Sequence, residues 1–532
     1  MVSTAIPRQS PGALWRALAL TGYAALCLVY VAWGWADELT DLGGDSAMYM
    51  LMARHLSPFH PASAVIAEAV QTSAYPPLFP LLIAGCGGSI LAGHLVAVAC
   101  LLAALPFLYL WLCGLGLTPA VGFCIAAVFA LMPGTYLLAL HVWTENPYLL
   151  FCLVALWAQH RAESGVTRPY APWLAAAGVA LATLTRAAAL PLLAAFATYL
   201  LMRRPRRWPW LMTMASAPFV AWSLAGRSQQ AGFSNYLGQF TGRYAEDAGG
   251  VLWHQVAGES RRLLEAWARG WTGYPDLSAP LNRVALLIGL VCLAGWLLRL
   301  VRLRLDALYV AFYFGLLLVW PFPAEAERLE YVLVPVLLAE GTLLLHSCGK
   351  VLGKTGGPRL LAAGVGALAL LITPSLVLTI QRYFLPAPRG YELVRHTPEW
   401  YGDDRLRATP AALVMAINFS SLRNAGSLVP PGACIFSIKP SVVTLYTERA
   451  SYLPPPIAAD DAAFQQGILR CRYLYPMALV SPSFPEPFYP LGRLNGRGKA
   501  LLEAAGGDES HWDTYGLLVD RGSSEPASAA PP

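Results

Sequence analysis

The sequence predicts a polytopic α-helical membrane protein with a small C-terminal α/β domain outside the membrane, and three observations predict it. Of 532 residues, 56% are apolar and 13% charged, about half the charged share usual in a soluble globular domain. The apolar residues gather into runs long enough to cross a bilayer, and that composition ends in a Pro-rich passage after Gln381–Arg382–Tyr383. With a mean hydropathy of +0.50 the chain cannot cover itself with polar surface. This excludes disorder, collagen-like repeats and a disulfide scaffold, and argues against a water-soluble enzyme. The 37 basic and 31 acidic side chains leave +6. The basic residues sit in short clusters between apolar runs, so they report topology and not nucleic-acid binding.

Taken in order, the apolar runs give eleven spans, near residues 14–35, 92–113, 119–140, 146–162, 172–187, 189–202, 208–226, 283–300, 305–321, 329–347 and 358–381. The fifth and sixth are short and also read as one kinked hairpin around Arg186 and Pro191. The first run is as long as a span and has no small-residue cleavage site before Asp37–Glu38, so it reads as a signal anchor. Arg8 and Arg16, Arg161 and Arg168, Arg203–Arg204 with Arg206–Arg207, Arg299, Arg302 and Arg304, and Lys350, Lys354 and Arg359 all fall on one side of such a chain. By the positive-inside rule that side is cytoplasmic, which predicts an inner-membrane protein with a cytoplasmic N-terminus and an extracytoplasmic C-terminal region.

The membrane domain is thus 1–381, with outer loops at 36–91 and 227–282. An extracytoplasmic domain follows at 382–522, then a Ser/Pro/Ala-rich tail at 523–532 expected to be disordered. Within the outer domain 410–424 reads as helix, and Ala433–Ile438, Ser441–Tyr446, Cys471–Tyr475 and Gly516–Asp520 read as strands. Eight of the ten cysteines lie in or beside apolar runs without metal-ligand spacing. The other two, Cys434 and Cys471, share the outer domain, where an oxidising compartment allows a bond between them.

Charge at membrane depth is expensive, so ionisable residues at span ends are site candidates. Asp37, Glu38, Asp41 and Asp45 crowd the first outer loop, where carboxylates can bind a cation or act as a base. Tyr75–Pro76–Pro77–Leu78–Phe79–Pro80 leads into an apolar run too short to span, which suits a surface helix. Glu145 opens the fourth span with Pro147 in its first turn, Arg186 lies near the outer end of the fifth, and Glu325–Ala326–Glu327–Arg328–Leu329–Glu330–Tyr331 opens the tenth. Four stretches therefore bring both signs of charge to one membrane surface. Arg54 and Glu68 read as surface residues, and His141, His254 and His396 lack ligand spacing and read as structural.

In this order, Asp45-x-x-x-Tyr49, Tyr75–Pro76–Pro77–Leu78, Glu145, Leu184–Thr185–Arg186 and Arg328…Tyr331–Val332–Leu333–Val334–Pro335 resemble the GT-C class of integral-membrane glycosyltransferases, within it the protein-mannosyltransferase and aminoarabinose-transferase branch. The resemblance covers about residues 14–345. Val429–Pro430–Pro431–Gly432–Ala433–Cys434–Ile435 with Lys439–Pro440 and Leu445–Tyr446–Thr447–Glu448–Arg449 is similar to the C-terminal domain of bacterial members. The resemblance implies transfer of a sugar from a polyprenyl-phosphate donor to a glycan, lipid or protein acceptor at the outer face.

It also implies roles. Asp45 matches the first-loop acid that serves as base or metal-site residue, and Glu145 would be a second carboxylate orienting the acceptor or sharing a metal. Arg186 and Arg328 would grip the lipid phosphate, since an Arg fork matches phosphate geometry. Tyr49, Tyr75 and Tyr331 would line the sugar and acceptor site. The class usually pairs Asp with Glu at the first-loop position, whereas Ser46 follows Asp45 here, so a divalent cation such as Mg or Mn stays an open requirement. The expected partners are the lipid-linked donor, the acceptor and membrane lipid, with no nucleic acid. A lipid-linked polysaccharide ligase or polymerase would use loop 227–282 but leave the acidic loop unexplained, and a transporter or flippase would place charge at mid-span in matching halves, which the sequence does not do.

Overall fold

The computed structural model describes residues 13–41, 44–59, 61–71, 73, 75–164, 169–225, 248–273, 279–320, 326–351, 353–383, 410–455, 466–467, 470–476, 499–502 and 518–520. The expected tail at 523–532, much of loop 227–282 including Arg243 and Tyr244, and His396 lie outside the described residues.

The membrane part begins with α1 (Ala13–Trp33). Three short helices follow in the segment between α1 and α5: α2 (Asp45–Leu56), α3 (Ala64–Gln71) and α4 (Leu78–Gly85). Next, α5 (Ile90–Gly114) starts where the Ser89 hydroxyl accepts from Ala92 N at 3.1 Å. The third expected span is two helices, α6 (Pro119–Leu131) and α7 (Pro133–Ala139), bent by 60°. Proline disfavours the helical region for the residue before it, and Met132 is extended with ψ 147°.

The succeeding α8 (Glu145–Glu163) is buried along most of its length and packs on α5 and on α9 (Ala171–Thr185). The chain leaves helix at Arg186, makes a 3₁₀ turn over Ala187–Ala189 and re-enters as α10 (Leu190–Arg203), whose first turn holds Pro191. After α11 (Trp208–Ala225), the segment expected as loop 227–282 contributes α12 (Ala248–Thr272), a long helix with no apolar run to mark it. Its Trp267 and Trp271 are buried among the spans while Arg261 and Arg262 face out.

The remaining helices of the bundle are α13 (Pro280–Leu300), α14 (Leu305–Leu318), α16 (Val334–Val351) and α17 (Gly353–Tyr383), with the five-residue α15 (Ala326–Glu330) ahead of α16. Helices α13 and α16 meet closely: a Cβ on Gly295 would sit 2.3 Å from the Glu340 carbonyl oxygen. Among the described residues four helices are long and apolar enough to cross a membrane, five if the bent pair is one span. Four more apolar helices are shorter, including the two flanking Arg186 and Leu305–Leu318. The chain is an integral-membrane protein, mostly helical.

Outside the bundle, α18 (Pro410–Leu428) and α19 (Pro440–Thr447) cover a five-stranded sheet of β1 (Cys434–Phe436), β2 (Ala450–Tyr452), β3 (Tyr473–Leu474), β4 (Lys499–Leu502) and β5 (Leu518–Asp520). The order is β2-β1-β3-β5-β4; β1 is parallel to β2 and β3, while β5 is antiparallel to β3 and β4. Ser441–Tyr446, expected as a strand, is helix α19. Its β-branched residues mislead because Pro440 presets the first turn, and Val442, Val443 and Leu445 are buried in the helix that follows. A disulfide joins Cys434 to Cys471, with Cα atoms 5.1 Å apart. The sheet with its helices and the short helices between α1 and α5 share one apolar core, in which Leu39, Tyr49 and Phe79 meet Phe419, Val442, Tyr473 and Leu518.

Candidate active site

Four stretches far apart in sequence converge where α2, α8, α9 and α15 meet. Asp45 is the first residue of α2, and the turn that delivers it uses Gly44 at φ +100°, a left-handed conformation that favours glycine. Glu145 is the first residue of α8, where the helix dipole favours a carboxylate. Arg186 has extended backbone at the C-terminal end of α9, so its side chain is free of the helix rows. Arg328 comes from α15.

Their side chains form one cluster of two carboxylates and two guanidiniums. Arg186 Nη1 and Arg328 Nε both donate to Glu145 Oε1, while Arg328 Nη1 donates to Asp45 Oδ2. Tyr75 donates its hydroxyl to the other Asp45 oxygen. Glu145 is fully buried and its Oε2 has no hydrogen-bond partner among the described residues; Asp45 is the outermost member, its side chain 24% exposed. Burial alone would push the Asp45 carboxyl up, but the Arg328 guanidinium, the Tyr75 and Arg328 hydrogen bonds and the charge of Arg186 outweigh it and hold it below the usual carboxylate range. The acid is therefore ionised and pinned.

Aromatic rings wall the cluster. Tyr49 stands edge-on to Tyr75 at 4.9 Å and to Phe79 at 5.4 Å, with its hydroxyl 3.5 Å from Thr144 Oγ1. Tyr331 lies behind the cluster: it is buried, stacked on Phe129, and donates to Asn146 Oδ1 at 3.0 Å. Further in, Tyr148 donates to Tyr309 at 2.9 Å, and the Tyr313 hydroxyl is buried without a partner among the described residues.

Two neighbours escaped the sequence reading. Trp143 lies under Arg328, whose guanidinium carbon is 4.3 Å from the ring centroid; its only signal was a position two residues before Glu145. Arg423, from α18, pairs with Glu38 at 2.5 Å. The acidic loop is thus divided, since Glu38 faces Arg423, Asp41 accepts from Ser46, and Asp45 joins the cluster.

This donor set does not fit a resident divalent cation. A hard cation takes six or so oxygens, whereas each Asp45 oxygen and Glu145 Oε1 already accept from a guanidinium or a phenol. No group of three or more His, Cys, Asp or Glu side chains suited to a metal occurs among the described residues.

No known family profile and no curated protein matches the sequence. Solved structures do resemble the chain, and they are GT-C glycosyltransferases. ArnT from Cupriavidus metallidurans bound to undecaprenyl phosphate aligns over 97% of this chain and 99% of its own, at 12% identity and a TM-score of 0.48. The Archaeoglobus fulgidus oligosaccharyltransferase, solved with Zn and sulfate, aligns over 85% and 67% at 12% identity and a TM-score of 0.47. The arabinofuranosyltransferase AftD from Mycobacteria aligns over 96% of this chain but 40% of its own length, at 16% identity and a TM-score of 0.43.

Proposed function

We propose that this chain is a glycosyltransferase that moves a sugar from a polyprenyl-phosphate donor to a hydroxyl of a glycan, lipid or protein acceptor at the outer membrane surface. The reading takes the chain as eleven spans with a cytoplasmic N-terminus, which puts Asp45, Glu145, Arg186 and Arg328 together at the extracytoplasmic ends of their helices. The observation that carries it is that cluster, in which two Arg forks and a half-buried carboxylate meet at a span end.

The chemistry needs both signs of charge. The acceptor hydroxyl forms the new bond to the anomeric carbon as the bond from that carbon to the phosphate oxygen breaks. The electron pair leaves with the phosphate, whose charge Arg186 and Arg328 meet, and the hydroxyl proton passes to Asp45. Attack opposite to the leaving phosphate inverts the anomeric centre. Arg328 now holds Asp45 and Glu145; moving its fork toward phosphate would free Asp45 to accept a proton. Glu145 keeps the two guanidiniums side by side. No step is assigned to a metal.

The test is transfer of radiolabelled sugar from polyprenyl-phosphate donors to membrane extract, with the unchanged protein and with Asp45→Asn, chelator present or absent. Undecaprenyl phosphate, bound to ArnT, and dolichol-phosphate, bound to the archaeal oligosaccharyltransferase with an inhibitory peptide, are the carriers to try first. Label transferred by the unchanged protein and lost in Asp45→Asn supports the reading. Donor binding without transfer would favour a flippase or carrier of lipid-linked sugars.

A further inference from the structure

The cluster leaves one question of position. Arg328 stands on a helix of five residues, yet it reaches two carboxylates contributed by α2 and α8. Ion pairs alone would not keep it there when a phosphate arrives, because the phosphate competes for the same N–H groups. A neutral contact that survives the exchange would.

Trp143 offers that contact. The Arg328 guanidinium carbon lies 4.3 Å from the centroid of its ring, within cation–π range. On the aromatic side, the His141 ring stacks against Trp143 at 4.0 Å with an interplanar angle of 29°, and His141 Nδ1 is 2.8 Å from the Leu137 carbonyl oxygen. Both aromatic residues come from the segment between α7 and α8 that also delivers Glu145. Burial pushes the His141 imidazole below its ordinary pKa despite Asp41 and the Leu137 carbonyl, so the stack brings no second cation against the indole.

We propose that the indole face of Trp143, backed by His141, is the positioning element that holds the Arg328 fork at the donor phosphate. Trp143 touches neither reacting atom on this account; it acts through Arg328, and the inference rests on the glycosyltransferase reading for the identity of the phosphate. An aromatic face is required and the indole N–H is not.

The experiment is binding of undecaprenyl phosphate and transfer kinetics by the purified full chain, with Trp143→Phe, Trp143→Leu and Arg328→Gln. Trp143→Leu is expected to raise KM for the donor about five- to thirtyfold, the span from an exposed to a desolvated cation–π contact, with kcat within about twofold. Trp143→Phe should stay within about twofold of the unchanged protein, and Arg328→Gln should abolish the effect of Trp143→Leu. Unchanged donor KM in Trp143→Leu, or equal losses in the Phe and Leu variants, would overturn the proposal. Thermal unfolding without ligand supplies an independent readout. There Trp143→Leu and Arg328→Gln should be non-additive, and strict additivity would overturn the contact even if no polyprenyl phosphate binds; absence of binding to the unchanged protein would instead sink the glycosyltransferase reading.

Discussion

Helix α8 has a buried or half-buried ion cluster at each end, and the two are built differently. At its N-terminal end are Asp45, Glu145, Arg186 and Arg328, each from a different stretch of chain, two acids and two bases around shared atoms. Near its C-terminal end Glu163 pairs with Arg304, and close by Arg299 serves both Asp306 and, at 2.7 Å, Glu340. Arg299 and Asp306 lie seven residues apart and staple the α13–α14 turn, where Asp306 also accepts from the Ala307 N–H at 2.9 Å. The second cluster ties the α13–α14 turn to α8 and α16 through ion pairs, each carboxylate meeting a single guanidinium. The first gathers charge from residues 45 to 328 against a large ordering cost, holds a buried Glu145 oxygen without a partner and stands in an aromatic wall, as a site for a charged ligand would.

If that contrast is right, the two clusters respond oppositely to mutation. Asp45→Asn keeps the shape of the side chain and removes the proton acceptor, so transfer should fall at least about 100-fold, the lower end of general-base contributions, while the melting temperature in detergent falls less than in Arg299→Met because Arg328 keeps Glu145. Full transfer by a folded Asp45→Asn protein would remove the distinction. Arg299→Met should do the reverse. Stranding Asp306 and Glu340 is expected to cost about 3–5 kcal/mol of stability, read as a lowered unfolding temperature, with transfer per folded molecule unchanged. Loss of transfer in a fully folded Arg299→Met protein would make the inner cluster part of the site.

The two ends also differ in how much the sequence disclosed. Apolar runs and basic clusters located most helices, because hydrocarbon thickness and the positive-inside rule act on composition alone. The bend at Met132–Pro133 and the helical break at Arg186 carried proline as their signal. Helix α12 did not show as an apolar run, because its apolar residues occupy one face only. For the site, polar residues at span ends pointed to Asp45, Glu145, Arg186 and Arg328, since charge there is costly and therefore informative. The sharing of Glu145 Oε1 by two guanidiniums, the placing of Trp143 beneath Arg328 and the capture of Glu38 by Arg423 depend on tertiary packing, and no local pattern encodes them.

Within the acidic loop itself the comparison sharpens to two carboxylates with opposite shifts. Burial pushes the Glu38 carboxyl up from 4.5 to about 7, with Asp37 adding to it and the half-exposed Arg423 opposing it. Asp45 is held below its ordinary value. The folded state therefore binds the Glu38 proton more tightly than the unfolded chain does. That contribution to stability is complete below about pH 4.5 and is lost as the pH rises through about 7. Asp45 contributes in the other sense, above its unfolded value, and loses its contribution as the pH falls through the lowered folded one. Unfolding temperature followed across this range should decline less toward neutrality in Glu38→Gln than in the unchanged protein; parallel curves would show that Glu38 does not titrate in the fold.

The smallest expected effect concerns α19 of the sheet region, which meets the turn before Asp45. Ser441, in the first turn of α19, donates its hydroxyl to the Gly44 carbonyl at 3.2 Å, and Tyr446 accepts from the Leu39 N–H at 3.1 Å. Arg54 Nη1 donates to the Leu445 carbonyl at 3.2 Å. Helix α19 thus grips both ends of the segment that presents Asp45. Ser441→Ala removes one neutral hydrogen bond, worth about 0.5–1.5 kcal/mol, from a carbonyl that half-solvated surroundings can resupply. The expected result is a kcat lowered about two- to threefold with donor KM unchanged, because Arg186 and Arg328 are untouched and only the Asp45 carboxylate loses definition. A change in donor KM with kcat preserved would mean that α19 acts on phosphate binding and that Asp45 is positioned without it.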